Sequence, residues 1–466
     1  MATVTVSSSA GLLTALKSAQ PDTTFELKTG TYALSLRNLD LKGATITAAQ
    51  GADVSFTSAT LNSVQHLTFD GVDFAAAGGE RKLFAAANSA DITVRNATLD
   101  GQSDAKGFGT GVGVWVNKME GFTLENSHIE GFTTGSWLGA TTGLTVRNNT
   151  YTDISLDGMM VGGIHDGLIQ GNDIDLNVPA GTKHTDGIQF YNTNHNDPLS
   201  NVVVKANVIA THNNYSHGIF MANALGDQTG DASTYYRDIT IADNVIVSAQ
   251  VSGIAVGRTI GLTIDGNTIL QDANFRSDTI GKTPVIRVSQ ASTQVSITDN
   301  FTHVAPAASV ANWQKVKSGP PADWIIENNQ IVARGTTIDH LPDPKPDPDP
   351  TPPTVGNGQA DTFRFSSAPG STDVADRVNF DEGDVIRLEN YRGGTFFGQK
   401  GGNLLIVTIH GAVIDSLADL RELQAASPKV HVSDGGDNSL VLDIEQRSGV
   451  HSIHLPGLAH AYFDLG

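Results

Sequence analysis

The chain reads as an all-β solenoid, short strands coiled and stacked along one axis, and three observations predict it. Seven asparagines, Asn149, Asn172, Asn207, Asn244, Asn267, Asn300 and Asn329, recur at one phase of a degenerate repeat. The text around them repeats as well: TGLTVRNNTY (142 to 151), DGLIQGNDI (166 to 174), NVVVKANVI (201 to 209), DITIADNVI (238 to 246), GLTIDGNTI (261 to 269) and DWIIENNQI (323 to 331). Each is a β-branched strand, a turn carrying Asn, and an aliphatic residue that resumes the next strand. The steps from 149 to 172 and from 244 to 267 are both 23 residues, enough for one coil of three short strands and three turns. Such periodicity outranks any local secondary-structure reading. One coil cannot bury its apolar side alone and must stack on its neighbours. The Asn column is then a ladder in which each amide bonds the adjacent coils.

At the start, SSSAGLLTALKSAQPDTTFELKTGTYAL (7 to 34) reads as a short amphipathic helix with Leu12, Leu13, Leu16 and Ala19 on one face, then a strand, then a turn. A solenoid needs a cap over the apolar end of its first coil, and this helix is placed to supply it. The repeat, its length and this opening together resemble the right-handed parallel β-helix of polysaccharide lyases, alginate epimerases, pectinases and phage depolymerases. The resemblance covers roughly residues 4 to 335. It implies the fold and a carbohydrate substrate, but no single chemistry, since this fold carries elimination, hydrolysis, epimerisation and plain binding.

Along the coils, a second strand aligns as TGVGVWV (110 to 116), TGSWLG (134 to 139), DGMMVG (157 to 162), DGIQFY (186 to 191), HGIFMA (217 to 222), SGIAVG (252 to 257) and PVIRVS (284 to 289). Strand residues alternate in and out. Ile188, Phe190, Ile219, Met221, Ile254 and Val256 therefore point to the core, while Trp137, Met160, Gln189, Phe220 and Arg287 form an outer column and Trp115 and Tyr191 a second. Aromatic faces repeated at the strand spacing suit a sugar chain, whose C–H surfaces pack on π clouds.

At the head of these strands Asp157, Asp186 and His217 share one column on successive coils, each followed by Gly, which leaves the backbone open to close approach. Lys183 and His184 flank Asp186, and His212, Asn213 and Tyr215 precede His217. Two carboxylates about 5 Å apart, at the strand spacing, cannot both ionise cheaply, so one acts as an acid or both share a cation. The longest insertions fall between Ile174 and Ile209 and between Ile209 and Ile246, on the coils that hold Asp186 and His217. Inserted loops of a solenoid tend to build its site.

Two mechanisms fit. Elimination at a uronic acid needs the sugar carboxylate neutralised, a base for the C5 proton and an acid for the leaving oxygen. His184, Lys183, His217 and Tyr215 offer that set, with Arg258 or Arg287 as carboxylate clamps. Hydrolysis needs two carboxylates, which Asp157 and Asp186 supply. DGIQ and SHGI are loosely similar to phrases of pectin hydrolases, yet the adjacent-Asp and Arg-Ile-Lys phrases of that family are missing, as are the Asp-Pro-His-Glu phrase of alginate epimerases and the acidic clusters of calcium-dependent pectate lyases. A metal-independent lyase acting on a glucuronate-bearing exopolysaccharide is therefore expected, with a hydrolase as the alternative. A non-catalytic adhesin or matrix protein would use Trp115, Trp137, Tyr191 and Phe220 without Asp157, Asp186, His184 and His217 together.

Further along, LPDPKPDPDPTPPT (341 to 354) puts Pro at nearly every second position, an extended spacer that forbids sheet pairing. The expected organisation is a β-helix over 1–340, a Pro/Asp-rich linker over 341–355 and a small β-rich domain over 356–466. That last part carries GNGQADTFRF, ADRVNFDEGDVIRLENY, HVSDGGDNSLVLDI and AHAYFDLG. These phrases resemble the C-terminal region of bacterial proteins exported by the type I route, which implies a partner in that apparatus and an extracellular location. SDGGDN (433 to 438) is only a fragment of a calcium-binding nonapeptide, so calcium has little support and no cofactor or metal is expected.

Composition agrees with an extracellular, carbohydrate-active chain: 49 Gly, 17% charged residues and a net charge of −20. Nucleic acid is disfavoured because phosphate binding needs a basic footprint. No apolar run is long enough to span a membrane, and MATVTVSSS has neither the basic nor the apolar region of a Sec-type signal. Cysteine is absent, which removes disulfides and thiol chemistry. A monomer is expected.

Overall fold

The computed structural model describes residues 2–77, 81–179, 182, 184–192, 198–212, 216–248, 252–272, 283–309 and 320–336, and after 361 the strand residues given below with Arg421 and Gln424. It divides into two compact units, Met1–Leu341 and Pro342–Gly466.

The first unit is a parallel β-helix. It begins with α1 (Ser9–Lys17), whose N-cap Ser8 accepts a hydrogen bond from the Gly11 amide. Leu12 and Leu16 are buried and Leu13 and Ala19 pack partly against the same core, so the helix covers the first coil as its periodicity predicts. The coils then form three stacks of parallel strands. One starts with residues 33–37 of Gly30–Ala48 and 59–62 of Val54–Asp70 and runs through Lys82–Ala87 and the first halves of Val112–Glu125, Thr134–Arg147 and Asp157–Gln170 to Thr185–Tyr191, Ser216–Met221, Ser252–Val256, Val285–Ser289 and Ala307–Ser309. A second continues from the other halves of the long strands to Ser200–Lys205, Tyr236–Ala242, Thr259–Asp265 and Thr293–Thr298. The third carries the residues that follow each ladder asparagine, among them Thr150–Ile154, Asp173–Leu176, Val208–Ala210, Val245–Ser248 and Thr268–Gln271.

The asparagine column is internal and continuous. Asn149 Nδ2 donates to Asn172 Oδ1 at 3.0 Å, and the same bond repeats from Asn172 to Asn207, Asn207 to Asn244, Asn244 to Asn267, Asn267 to Asn300 and Asn300 to Asn329 at 2.8–2.9 Å. Each Nδ2 also donates to a carbonyl of the preceding coil, as Asn207 does to Ile169 at 3.0 Å. The residue before each rung takes a left-handed conformation, for example Asn148 (φ 54), Gly171 (φ 64) and Asp243 (φ 57). The tight turn this creates aims the next amide inward, which is why Asn, Asp or Gly precedes most rungs.

Core side chains are inward strand residues at zero exposure, including Ile188, Phe190, Ile219, Met221, Ile254 and Val256. The early coils are filled by aromatics, with Tyr32, Phe56, Phe69, Phe74, Phe84 and Phe122 in ring contact.

In the second unit, Thr362–Ser366 pairs in parallel with Val385–Glu389, which pairs antiparallel with Ala412–Ile414. Asp376–Arg377, Gly449–Pro456, Ser439–Gln446 and Val430–Asp434 make a four-stranded sheet, and Thr395–Lys400 with Asn403–Thr408 a hairpin. The linker 341–355 and the AHAYFDLG end lie outside the described residues.

Candidate active site

Register places the polar column where the repeat alignment expects it. Asp157 follows Thr134, the Asp186 amide donates to Asp157 Oδ1 at 2.9 Å, and Asp186 pairs with His217. The glycines after these residues do not open the backbone to a ligand, as the sequence suggested. A Cβ on Gly158, Gly187 or Gly218 would collide with core methyls of Ile174, Ile209 or Ile246 in the third stack. The glycines are there because the coil is thin at this corner, where the two stacks close on one another.

Both carboxylates are buried, Asp157 at 3% and Asp186 at 0% exposure. Burial and the neighbouring Asp186 push the Asp157 carboxyl up to about 7, so at neutral pH this pair holds less than two full charges. Neither Asp186 oxygen has a hydrogen-bond partner among the described residues. Among the described residues His184 faces it, with Nδ1 3.4 Å from Asp186 Oδ2, ion-pair distance rather than a closed hydrogen bond. His184 is the exposed member, its side chain 54% accessible, and it sits in left-handed backbone (φ 60) just before the strand. A non-glycine residue there costs about 1–3 kcal/mol and is held only when its surroundings demand it.

The two histidines are driven apart. The Asp186 carboxylate raises the pKa of His184, while burial lowers that of His217 in spite of the same carboxylate. Their rings are 5.8 Å apart, and Phe220 stands against both at 5.0 Å. His217 Nδ1 is shielded and has no hydrogen-bond partner among the described residues. Arg287 lies close enough for its charge to act on His217, and burial lowers its own pKa. The cluster thus brings together two histidines whose pKa values are shifted in opposite directions, a guanidinium and a buried carboxylate pair, the group types that acid–base chemistry on a charged sugar would need.

Several expected roles need correction. Trp115 does not share a column with Tyr191. It pairs in register with Trp137, and Tyr191 pairs with Gly162. The Trp115 and Trp137 rings stack on each other at 5.3 Å and 9°, with Tyr191 next at 6.1 Å, so the tryptophans spend facing surfaces on one another instead of presenting them to a sugar. Phe220 is only 7% exposed and walls one side of the two histidines instead of offering a stacking platform. Arg258 is no clamp: its guanidinium binds Asp227 at 2.9 Å and the Tyr235 hydroxyl at 2.7 Å, tying down α2 (Ala224–Thr229). Gln189 stays in the outer column between Met160 and Phe220. Lys183 and Tyr215 lie outside the described residues. One residue was overlooked: Lys82 heads its strand in register with Val112 and places its ammonium 3.2 Å from the Trp115 ring centroid. KLFAAA (82 to 87) lacks the Gly that follows most column residues, so the phrase alignment passed over it.

The family model described as right handed beta helix region matches residues 81–269. The chain folds as a right-handed β-helix. Solved β-helices similar to it include a surface adhesin of Streptococcus pneumoniae, at 13% identity over 67% of this chain and 83% of that one (TM-score 0.41). Another is the A-module of a mannuronan C-5 epimerase from Azotobacter vinelandii, at 14% identity over 68% and 95% (TM-score 0.33). A third is an alginate lyase of the PL6 family, at 14% identity over 84% and 65% (TM-score 0.34). Comparison with curated protein sequences found no significant match.

Proposed function

We propose that this β-helix is a polysaccharide lyase that cleaves a uronate-containing, glucuronate-bearing exopolysaccharide by β-elimination, outside the cell. The observation that carries the reading is the pair of histidines with opposed pKa shifts, one exposed and braced by a buried carboxylate, beside an arginine. His217, held neutral, takes the C5 proton. The released electron pair forms the C4–C5 double bond as the C4–O bond breaks, and His184 passes its proton to the departing oxygen. Asp186 holds the imidazolium in place, and Arg287 meets the uronate carboxylate, whose neutralisation acidifies C5.

Hydrolysis by Asp157 and Asp186 ranks second, favoured by the raised Asp157 pKa but disfavoured because both carboxyls are shielded from solvent. The test is incubation with a panel of acidic bacterial exopolysaccharides, following ultraviolet absorbance of unsaturated uronate together with reducing ends. Reducing ends with absorbance support elimination, reducing ends alone mean hydrolysis, and neither points to a binding protein.

Export completes the reading. No described helix is long and apolar enough to cross a membrane, and the Gly-Asp phrases after residue 356 support release through a type I apparatus.

A further inference from the structure

We infer that Lys82 binds a substrate carboxylate in a subsite four coils from Asp186 and five from His217, which rests on the reading of the protein as a uronate-acting enzyme. Lys82 stands in the column that continues through Val112, Thr134 and Asp157 to Asp186. Four steps of about 4.8 Å span roughly 19 Å, room for several units of a sugar chain lying along the helix axis.

Three features make this cation a site. Its ammonium is held over the Trp115 ring, and the ring's other side, toward the next coil, is stacked on Trp137. The lysine therefore closes the N-terminal end of the aromatic ladder instead of waving in solvent, and part of the entropy cost of fixing it is already met. Among the described residues no carboxylate pairs with it, although the chain carries 49 acidic against 29 basic side chains. The charge around it is also one-sided. On the eight strands of this stack from Lys82–Ala87 to Val285–Ser289 the charged residues are Lys82, Asp157, Asp186 and Arg287, with His217 titratable, and both aspartates are buried. With both aspartates buried, the exposed charge on these strands is the Lys82 ammonium, in a protein of net charge −20. An acidic polysaccharide fits that pattern; a neutral glycan would leave the ammonium without a partner.

The test measures binding of the full chain by calorimetry, using polyglucuronate and the same polymer with its carboxyl groups reduced to alcohols. Lys82→Met should weaken binding of polyglucuronate about tenfold or more, and Lys82→Arg, which keeps both charge and stacking, should restore most of it. Affinity for the reduced polymer should be the same in all three proteins. Lys28→Met, the same charge change at an exposed lysine in an early coil, is the control and should leave both affinities unaltered. Equal affinity of Lys82→Met and the unaltered protein for polyglucuronate, or an equal loss for both polymers, would overturn the assignment. Failure of the enzymatic reading is seen separately, as no cleavage of any acidic polymer by the unaltered protein.

Discussion

At the scale of single residues, the site is defined by what burial does to charge. His184 and His217 start from the same ordinary value of 6.5 and are pushed to opposite sides of it, the first by the Asp186 carboxylate, the second by desolvation. With His217 as base and His184 as acid, kcat/KM should be bell-shaped in pH. The acidic limb reports His217 and the alkaline limb His184. His184→Gln should lower turnover by roughly a hundredfold or more and remove the alkaline limb, and His217→Gln should do the same to the acidic limb. A profile keeping both limbs in both variants would show that neither histidine is the titrating group.

Asp157 makes a separate prediction about stability. Its carboxyl rises from 3.8 to about 7 in the folded protein, so between those values the folded state binds a proton that the unfolded chain has released. Stability must then fall as pH rises through that window. Asn at this position keeps an oxygen for the Asp186 amide but cannot ionise. Asp157→Asn should therefore match the unaltered protein near pH 4 and melt at higher temperature near pH 8. The gain is bounded by about 4 kcal/mol, the full cost of a shift from 3.8 to about 7. Thermal melts at the two pH values check it. No difference at pH 8 would mean that the Asp157 carboxylate is not penalised by burial.

At the scale of elements, the ladder is the part most exposed to a single change. Asn207 is wholly buried, donates to Ile169, Lys205 and Asn244, and its Oδ1 accepts from both nitrogens of Asn172. Asn207→Ala leaves these partners unsatisfied inside the coil and should cost about 1–3 kcal/mol. Asn329, the last rung, has a solvent-facing side and no rung beyond it among the described residues, so Asn329→Ala should cost less by denaturant titration. Equal losses at both positions would argue that the rungs act as independent turns. This element was legible because Asn at fixed phase leaves a trace in a single sequence. The aromatic ladder was legible only in part. Period-2 alternation says that Trp115 and Trp137 point outward, but not that their rings lie on each other. That arrangement depends on ring torsions and on Gly139, where a Cβ would meet the Trp137 ring. The glycine column misled for a related reason: Gly leaves the same mark whether a ligand or a core isoleucine comes close.

At the scale of the whole molecule, the fold was readable from the 23-residue steps because a solenoid repeats its contacts locally, whereas Arg258 illustrates what repetition hides. Its fate was decided by Asp227 on an inserted helix, and insertions share no phase with the coil. The C-terminal unit has no such repeat, so its strands could be expected only as a class. It is compact by itself, and the first unit has its own continuous core of buried residues from Val6 to Trp324, with Leu270, Phe301 and Val332 in a smaller cluster. Removing residues 342–466 should therefore leave the melting transition and polysaccharide cleavage of the β-helix nearly intact. If the Gly-Asp phrases serve type I export, the same truncation should hold the protein inside the producing cell, in a host carrying the matching apparatus, and fusing residues 342–466 to an unrelated small protein should carry it out. Quantifying medium and cell fractions for both proteins checks the idea. A truncated chain that reaches the medium at the normal level, or a fusion that stays inside, would assign this unit to another task such as surface binding.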